Sequence, residues 1–309
     1  MKKNIPIINP QLFLKDYFDH SLMKEDGFNI NISMPREQSC FFHIEDIKAA
    51  NKYIKFPIES IKTTYYELIF ITKGHTIVTN NLNELTQTKG QIRFGSPGKI
   101  SSIQELSNDI EGYFCLFDQA FIDTHSGDVN LLNNFAFFDL DAFSIISLSD
   151  QQTQFFTVVL NKIKQDFIEN FNSTKSIICQ FLVGIFKECN LCYEKIAQQN
   201  NNLTSADRIG QNFLRLVNKH YLSKRTLIEY ADMLNITPKH LSKSVKQATN
   251  ETPMDFIYKM LILEAKVLLK ETTSTVSEIA FQLSFDDAAH FGRFFKQHTG
   301  NTPIEFRNI

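Results

Sequence analysis

The 309-residue sequence contains no tryptophan, only five cysteines and no long hydrophobic run. No apolar stretch approaches the roughly eighteen residues of a transmembrane helix, and the first residues are too broken by polar side chains for a signal peptide. An odd number of cysteines fits reduced thiols better than a framework of disulfides. We therefore expect a cytoplasmic protein that has no membrane partner.

An excess of charge of one sign is also missing, since 32 Lys and Arg face 34 Asp and Glu and the net charge is −2. The charges are nonetheless unevenly placed. From Thr204 to Ile309 there are 14 basic and 11 acidic residues, which leaves 18 and 23 for the rest of the chain. A weakly basic tail on an acidic body suits a domain that faces phosphates, although a solvated surface gives the same count.

The length is enough for two domains, and the first 150 residues are the β-rich part. From Tyr53 onward, β-branched and aromatic residues alternate with polar ones. Turn signals stand at Lys73-Gly74, Lys89-Gly90 and Pro97-Gly98. This pattern predicts an antiparallel barrel or sandwich over residues 1–150.

The remainder of the chain predicts helices. Residues 151–203 should form two long amphipathic helices, Asp150–Asn170 and Lys175–Gln199, and then a polar linker, QQNNNLT. Residues 204–309 should form an all-α domain. The predicted fold class is therefore α+β.

The C-terminal stretch repeats itself at an offset of about fifty residues. Lys246–Pro253 reads KQATNETP and Lys296–Pro303 reads KQHTGNTP, and five of the eight positions are identical. In each copy two short helices flank a tight turn, and the second helix ends at Asn250 or Gly300, which tolerate left-handed backbone. The sequence therefore predicts two helix-turn-helix motifs in tandem, joined by a longer helix.

These repeats resemble the DNA-binding domain of the AraC/XylS family of transcription regulators over about a third of the chain. The residues that carry the resemblance read LIEYADML, TPKHLSKSVK, LEAKVLL, VSEIAFQLSF, DDAAHFGRFFK and GNTPIEFR. Three positions depart from the family pattern. Ser284 stands where the family usually has glycine, Val245 where it has phenylalanine, and Leu261 where an arginine is common.

The resemblance implies a sequence-specific regulator whose partners are double-stranded promoter DNA, RNA polymerase and a second copy of the chain. In this family the helices equivalent to the two long ones commonly make the homodimer contact. Completion of the barrel's own core is the alternative role for these helices, and their periodicity fits both.

The two predicted recognition helices should bury one face and present the other to DNA. Leu241 and Val245 in the first, and Phe291 and Phe295 in the second, are the expected buried residues. The joining helix should hold the two faces about one duplex turn, roughly 34 Å, apart. The candidate DNA contacts on the opposite faces are Lys239, His240, Ser242, Lys243 and Lys246, then Ala288, Ala289, His290, Arg293 and Lys296.

The β-rich region resembles, more loosely, the cupin-like sensor domain that is often joined to this DNA-binding domain. The matching residues are Tyr66-Glu67-Leu68 and Ser96-Pro97-Gly98. Metal-binding cupins carry clustered histidines at places that here read KTTY, residues 62–65, and Ser101-Ser102. We therefore expect a cupin-like barrel without metal or other cofactor, and no enzymatic activity. The scattered His43, His75 and His125 are expected to be surface or hydrogen-bonded residues.

Phenylalanine is abundant, with 29 residues, and the segment Phe121–Phe143 includes the run NFAFFDLDAF. Such a segment most often forms plain core. The functional alternative is an apolar pocket for a small-molecule effector, and its candidate lining residues are Tyr66, Phe94, Tyr113 and Phe117. Cys189-x-x-Cys192 has no second pair of cysteines and is expected to be structural.

The function that these patterns favour is a DNA-binding regulator controlled by a ligand or partner at the barrel. One alternative is a metal-independent binding protein whose helical tail is an interaction module. A cupin oxygenase or isomerase is the enzymatic alternative, and the missing histidine cluster argues against it.

Overall fold

A computed structural model describes Phe13 and residues 17–26, 40–139, 145–199 and 204–308. The chain divides into two compact units, and the division falls between Gln199 and Asn200. Most of the predicted linker, residues 200–203, and the end of the Phe-rich segment, residues 140–143, lie outside the described residues. Of the helices in the described ranges, none combines the length and apolar character that a bilayer crossing requires.

The N-terminal unit is built on two antiparallel sheets, which confirms the predicted β-rich architecture. The first sheet has the order β1-β8-β3-β6-β9 and the second β2-β7-β4-β5. The strands of the described residues are β1 Phe42–Asp46, β2 Ile58–Lys62, β3 Tyr66–Lys73, β4 His75–Asn80, β5 Asn83–Thr88, β6 Gln91–Gly95, β7 Ile100–Leu106, β8 Glu111–Phe117 and β9 Ile145–Ser147.

The turns fall where the sequence predicted them. Gly74, Gly90 and Gly98 have φ of 75°, 75° and 83°, in the left-handed region. Gly74 also permits a close approach, because a Cβ there would lie 2.9 Å from the Cα of Ile110. A side chain at this position would therefore displace the chain before β8.

The two faces of the first sheet are covered differently. On β3, Leu68 and Phe70 belong to a core that includes Phe156 and Phe186 of the long helix, whereas Ile71 belongs to a second apolar cluster. The helices of this unit are α1 His20–Glu25, α2 Ile47–Asn51, α3 Gln119–Ser126 and α4 Asp150–Gln199, and there are short 3₁₀ turns at Leu131–Asn134 and Ala136–Phe138.

The long helix α4 is the predicted pair of helices, joined without a loop. Only Asn170 leaves the helical region, with φ −149° and ψ 38°. The four residues predicted to separate the pair, from Phe171 to Thr174, are helical. Phe186 packs on Phe94 and Phe117, with ring centroids 5.9 and 5.7 Å apart. The helix therefore completes the core of the first sheet, which is one of the two roles that its periodicity allowed.

The C-terminal unit contains only helices within its described residues, in agreement with the predicted tandem motifs. The first motif is α6–α7, the joining helix is α8 and the second motif is α9–α10. The helices are α5 Ser205–His220, α6 Leu227–Met233, α7 Pro238–Thr249, α8 Pro253–Glu271, α9 Val276–Gln282, α10 Ala288–Thr299 and α11 Pro303–Asn308.

Threonine side chains begin most of these helices. A threonine hydroxyl accepts from the third helical N–H, and the acidic side chain at that third position accepts from the threonine N–H. Each such capping box satisfies two donors that the helix itself leaves unpaired. The reciprocal pairs are Thr204 with Asp207, Thr226 with Glu229, Thr252 with Asp255, Thr275 with Glu278 and Thr302 with Glu305.

Candidate nucleic-acid interface

Left-handed residues set the geometry of both motifs. Asn235 in the first turn has φ 52°, and Ser284, 49 residues later in the second turn, has φ 56°. Serine adopts this conformation less readily than the glycine usual in the family. Its Oγ donates to the carbonyl oxygen of Leu222 at 3.1 Å. The departure from glycine is thus accommodated with a hydrogen bond in place of conformational freedom.

The second helix of each motif ends in the same way. Asn250 and Gly300 follow α7 and α10 with φ of 62° and 81°, and their N–H groups donate to the carbonyls of Lys246 and Lys296. The predicted left-handed caps are confirmed. The two recognition helices therefore begin and end at equivalent positions.

The first recognition helix, α7, buries the residues that its periodicity predicted. Leu241 and Val245 are fully buried, so the valine that replaces phenylalanine still fills the core. On the opposite side the basic residues are exposed and Ser242 is half-buried. Gly210 of α5 allows the close packing of this helix, because a Cβ there would lie 2.9 Å from the Cβ of Ala248.

The second recognition helix, α10, has the same arrangement with larger side chains. Phe291 and Phe295 are fully buried, whereas Ala289, His290, Arg293 and Lys296 are exposed. Ala288 differs from its prediction. It is half-buried and packs against the apolar cluster of the second motif, because it begins the helix beside the turn. It therefore adds little to the exposed face.

The exposed faces carry unpaired positive charge. No described carboxylate forms an ion pair with the predicted contact residues Lys239, Lys243, Lys246, Arg293 or Lys296. Asp287 accepts from the N–H of His290 at 2.6 Å, and this hydrogen bond lowers the pKa of the Asp287 carboxyl. Its charge is therefore directed to the helix N-terminus, where it stabilises the helix dipole.

Arg225, which no sequence pattern indicated, connects the two motifs. Its guanidinium lies over the ring of Phe285, 4.5 Å from the centroid, and burial lowers its pKa. Together with the bond from Ser284 to Leu222, this contact ties the segment before the first motif to the turn of the second. No repeat or spacing in the sequence signals a contact between residues sixty positions apart.

The joining helix α8 is held from both sides. Leu261, where the family commonly has arginine, is buried in the core, so its packing is that of an ordinary apolar residue. Glu264 is fully buried and accepts from the Tyr221 hydroxyl at 2.8 Å, and burial raises the pKa of Tyr221. Arg307 donates to the carbonyl oxygens of Leu269 and Ser274 at 3.1 and 2.6 Å, which fixes α11 to the end of α8.

The candidate effector residues of the N-terminal unit occupy a different place from the one proposed. Tyr66, Phe94, Tyr113 and Phe117 all lie on the face of the first sheet that α4 covers, and Phe94 and Phe117 are fully buried there. Tyr66 donates through its hydroxyl to Gln119 Oε1 at 3.0 Å. These four side chains form core and its margin, which corrects the prediction of a pocket between them.

A cavity lies on the other face, between the two sheets. It measures about 780 Å³ with its opening to solvent. Its walls are mostly isoleucine, leucine and phenylalanine, with Arg93 and Glu67 among the lining residues. Arg93 Nη1 donates to Glu67 Oε1 at 2.6 Å.

Metal-ligating side chains do not cluster in the described residues, where no group of three or more His, Cys, Asp or Glu side chains could hold an ion. Thr63 and Ser101, which stand where a metal-binding cupin has histidine, line the cavity. Cys189 and Cys192 are free thiols, and burial raises the pKa of Cys189. A thiol with a raised pKa is a poor nucleophile and a poor metal ligand.

Comparison with known proteins places relatives of this chain among transcription regulators. A family model described as a helix-turn-helix domain matches residues 230–309. The HTH-type transcriptional regulator YisR of Bacillus subtilis is 26% identical over 254 residues, which cover 79% of this chain and 86% of YisR. The transcriptional activator RhaS of Escherichia coli is 25% identical over 123 residues, 40% of this chain and 44% of RhaS. The solved structure of ToxT from Vibrio cholerae is 14% identical, covers 88% of this chain and 99% of ToxT, and has a TM-score of 0.36.

Proposed function

We propose that the chain is a transcription regulator with a helix-turn-helix domain of the AraC/XylS type, and that α7 and α10 enter neighbouring major-groove segments of one DNA duplex. One observation carries the proposal. Both helices bury residues four apart and expose equivalent positions fifty residues apart, Lys243 with Arg293 and Lys246 with Lys296. Two such faces about one duplex turn apart, roughly 34 Å, would meet successive major grooves on one side of the DNA.

The residues on each face have different proposed roles. Lys243 and Arg293 lie at the centre of the exposed faces and would read base edges, and Arg293 has the geometry for a bidentate contact to guanine. The remaining basic residues would bind phosphates and position the helices. Ser242, Ala289 and, to a smaller extent, Ala288 would contact base edges or allow close approach. The phosphate contacts would be Lys239, His240, Lys246, His290 and Lys296.

Control of DNA binding is assigned to the N-terminal unit. A small molecule in the cavity between the sheets would change DNA affinity only if it binds two conformations of the protein with different affinity. We propose no catalytic role for this cavity, because the relatives of this chain are transcription regulators.

A second copy of the chain is the proposed partner of α4. Ile177, Gly184 and Leu191 follow one another at seven-residue spacing and are exposed. A stripe of this spacing is typical of a helix that pairs with another helix, and Gly184 would allow the two backbones to approach. We also propose that the protein contacts RNA polymerase and that it is located in the cytoplasm, where promoter DNA is found.

Genome-wide capture of DNA by the purified full-length protein tests the function. We expect one enriched sequence motif with two half-sites about one turn apart. The double variant Lys243→Ala, Arg293→Ala should lose preference for that motif. Lys89→Ala is the control, because Lys89 is an exposed lysine in the turn between β5 and β6, far from both proposed surfaces in sequence, and it should bind as the wild type does.

Capture without an enriched motif would contradict sequence-specific binding. Binding to the enriched fragment that does not weaken as salt rises would contradict a phosphate-contacting surface. Either result would favour the alternative, in which the helical tail is a protein interaction module.

A further inference from the structure

We propose that the cavity between the two sheets binds a small, uncharged and mainly apolar molecule through a single oxygen acceptor, a carbonyl or hydroxyl group, which accepts from Arg93 Nε. This proposal deepens the proposed function and rests on it, since it names the class of molecule that would control the regulator. The site lies on the face of the first sheet opposite to the aromatic core.

The walls set the apolar character of the ligand. Side chains from both sheets converge on the cavity, and most of them are apolar. Burial of apolar ligand surface against these walls would supply most of the affinity. The apolar lining includes Ile58, Ile69, Ile71, Val78, Ile103 and Leu116.

Arg93 supplies the polar contact. It is paired in register with Ile69, so its side chain leaves the sheet on the cavity side, and its exposed fraction is 4%. Nη1 is bonded to Glu67, whereas Nε has no acceptor among the described residues. A buried N–H without an acceptor is unfavourable, and a ligand oxygen beside it would remove that penalty.

Three hydroxyl groups of the wall already have partners. Thr63 Oγ1 donates to the carbonyl of Tyr65 at 3.3 Å, and Thr76 Oγ1 donates to the carbonyl of Glu105 at 2.8 Å. The Ser102 hydroxyl is bonded to the Thr79 hydroxyl at 2.7 Å. Arg93 Nε thus remains a donor without an acceptor, and one ligand oxygen is enough to use it.

The ion pair decides the ligand's charge. Glu67 lies 2.6 Å from the guanidinium and already neutralises it. A carboxylate ligand would place a second anion on one buried guanidinium, and the pair would not compensate its desolvation. An ammonium group would face the positive charge of Arg93. An uncharged oxygen acceptor avoids both costs.

Binding of two matched probes to the full-length protein tests the proposal. We expect 2-heptanone to bind about tenfold more tightly than heptanoate at pH 7, measured by calorimetry or by NMR titration. Arg93→Lys keeps a cation beside Glu67 but removes the Nε hydrogen, and it should weaken 2-heptanone binding by about tenfold. Ile103→Phe should fill the cavity and abolish binding.

Several results would overturn the inference. These are heptanoate binding as tightly as the ketone, unchanged ketone affinity in Arg93→Lys, or unchanged affinity in Ile103→Phe. If Arg93→Lys does not fold, the relative affinities of 2-heptanone and heptanoate for the wild type, and the effect of Ile103→Phe, still test the inference. If the protein captures a DNA motif but does not bind 2-heptanone, only this inference is wrong. If the protein captures no motif, the proposed function is wrong and the probe measurements remain valid.

Discussion

Arg293 and Lys296 are three residues apart on α10, but burial of Phe291 and Phe295 gives them different surroundings. Arg293 lies at the centre of the exposed face, and Lys296 lies in the last turn, where a phosphate is the natural partner. We expect Arg293→Ala to cost about 1–3 kcal/mol against the preferred operator and to flatten discrimination at one base pair. Lys296→Ala should weaken binding to all sequences and reduce the salt slope by about one.

Both variants are to be measured on a panel of single-base operator mutants at two salt concentrations. The lysine variant is the control for the loss of a positive charge. Unchanged base preferences in Arg293→Ala, together with altered preferences in Lys296→Ala, would mean that a different face of the helix meets the DNA.

His43 gives the N-terminal unit a pH-dependent stability. The imidazole is almost completely buried against the rings of Phe114 and Phe167. Neither ring nitrogen has a partner among the described residues. Burial, and then the charge of Lys164, which pairs with Glu45 at 2.7 Å, lower the pKa of His43 to about 4. The folded state therefore favours the neutral imidazole.

The unfolded chain binds a proton at His43 near pH 6.5, so the stability that the neutral imidazole contributes is complete above that pH. It decreases as the pH falls, and the loss should reach about 3 kcal/mol near pH 4. His43→Leu should lack this dependence. Denaturant unfolding of both proteins between pH 7 and pH 4 measures the difference, and parallel curves would contradict a neutral buried His43.

At the scale of elements, the packing of α5 on α7 depends on Gly210. An alanine at this position would place its Cβ 2.9 Å from that of Ala248, too close for two carbon atoms. Overpacking of this kind costs about 1–3 kcal/mol, and the gain in helix propensity recovers up to about 1 kcal/mol of it. We expect Gly210→Ala to lower the free energy of unfolding and to weaken DNA binding through displacement of α7.

The double variant Gly210→Ala, Ala248→Gly is the matched test, because it moves the same methyl group to the partner helix. It should recover most of the DNA affinity that the single variant loses. If the single variant unfolds and binds DNA like the wild type, the contact between the helices does not position α7.

Element by element, the sequence predicted starts, ends and shared faces better than it predicted what covers each face. Caps such as Asn250 and Gly300 act within one turn of chain, so they were visible as local patterns. The four candidate pocket residues, Tyr66, Phe94, Tyr113 and Phe117, lie on one side of the first sheet. Both sides of that sheet carry apolar residues, and alternation cannot tell which side meets a helix and which a second sheet. The predicted pocket was therefore on the wrong face.

At the scale of the whole molecule, the C-terminal unit should fold and bind DNA without the N-terminal unit. Its helices have their own caps, and its apolar cluster from Ile262 to Phe295 is formed within the unit. We expect a 204–309 fragment to be helical by circular dichroism and to bind the operator more weakly than the full-length protein, because it lacks the proposed pairing through α4.

The full-length protein is the control in the same titration. A fragment that is folded yet binds no DNA at low salt would contradict the assignment of DNA contacts to α7 and α10 alone. A fragment that binds as tightly as the full chain would contradict a contribution from pairing.

Contacts between distant parts of the chain set the limit of prediction at this scale. Tyr221 with Glu264 and Arg225 with Phe285 join residues 43 and 60 positions apart, and neither pair belongs to a repeat. Periodicity reports which residues share a face of one element, but it carries no information about which of two distant elements a given side chain meets.

The ties of Leu222 and Arg225 to the turn of the second motif have a consequence for the DNA that the protein accepts. If α8 were the only connection, it would act as a hinge, and each recognition helix could follow its own half-site. The two further contacts instead fix the distance and the relative rotation between the two recognition helices. One inserted base pair rotates the second half-site by roughly 35° about the duplex axis. A rigid pair of recognition helices cannot follow that rotation, so the spacing between the half-sites defines the operator as much as their base sequence does.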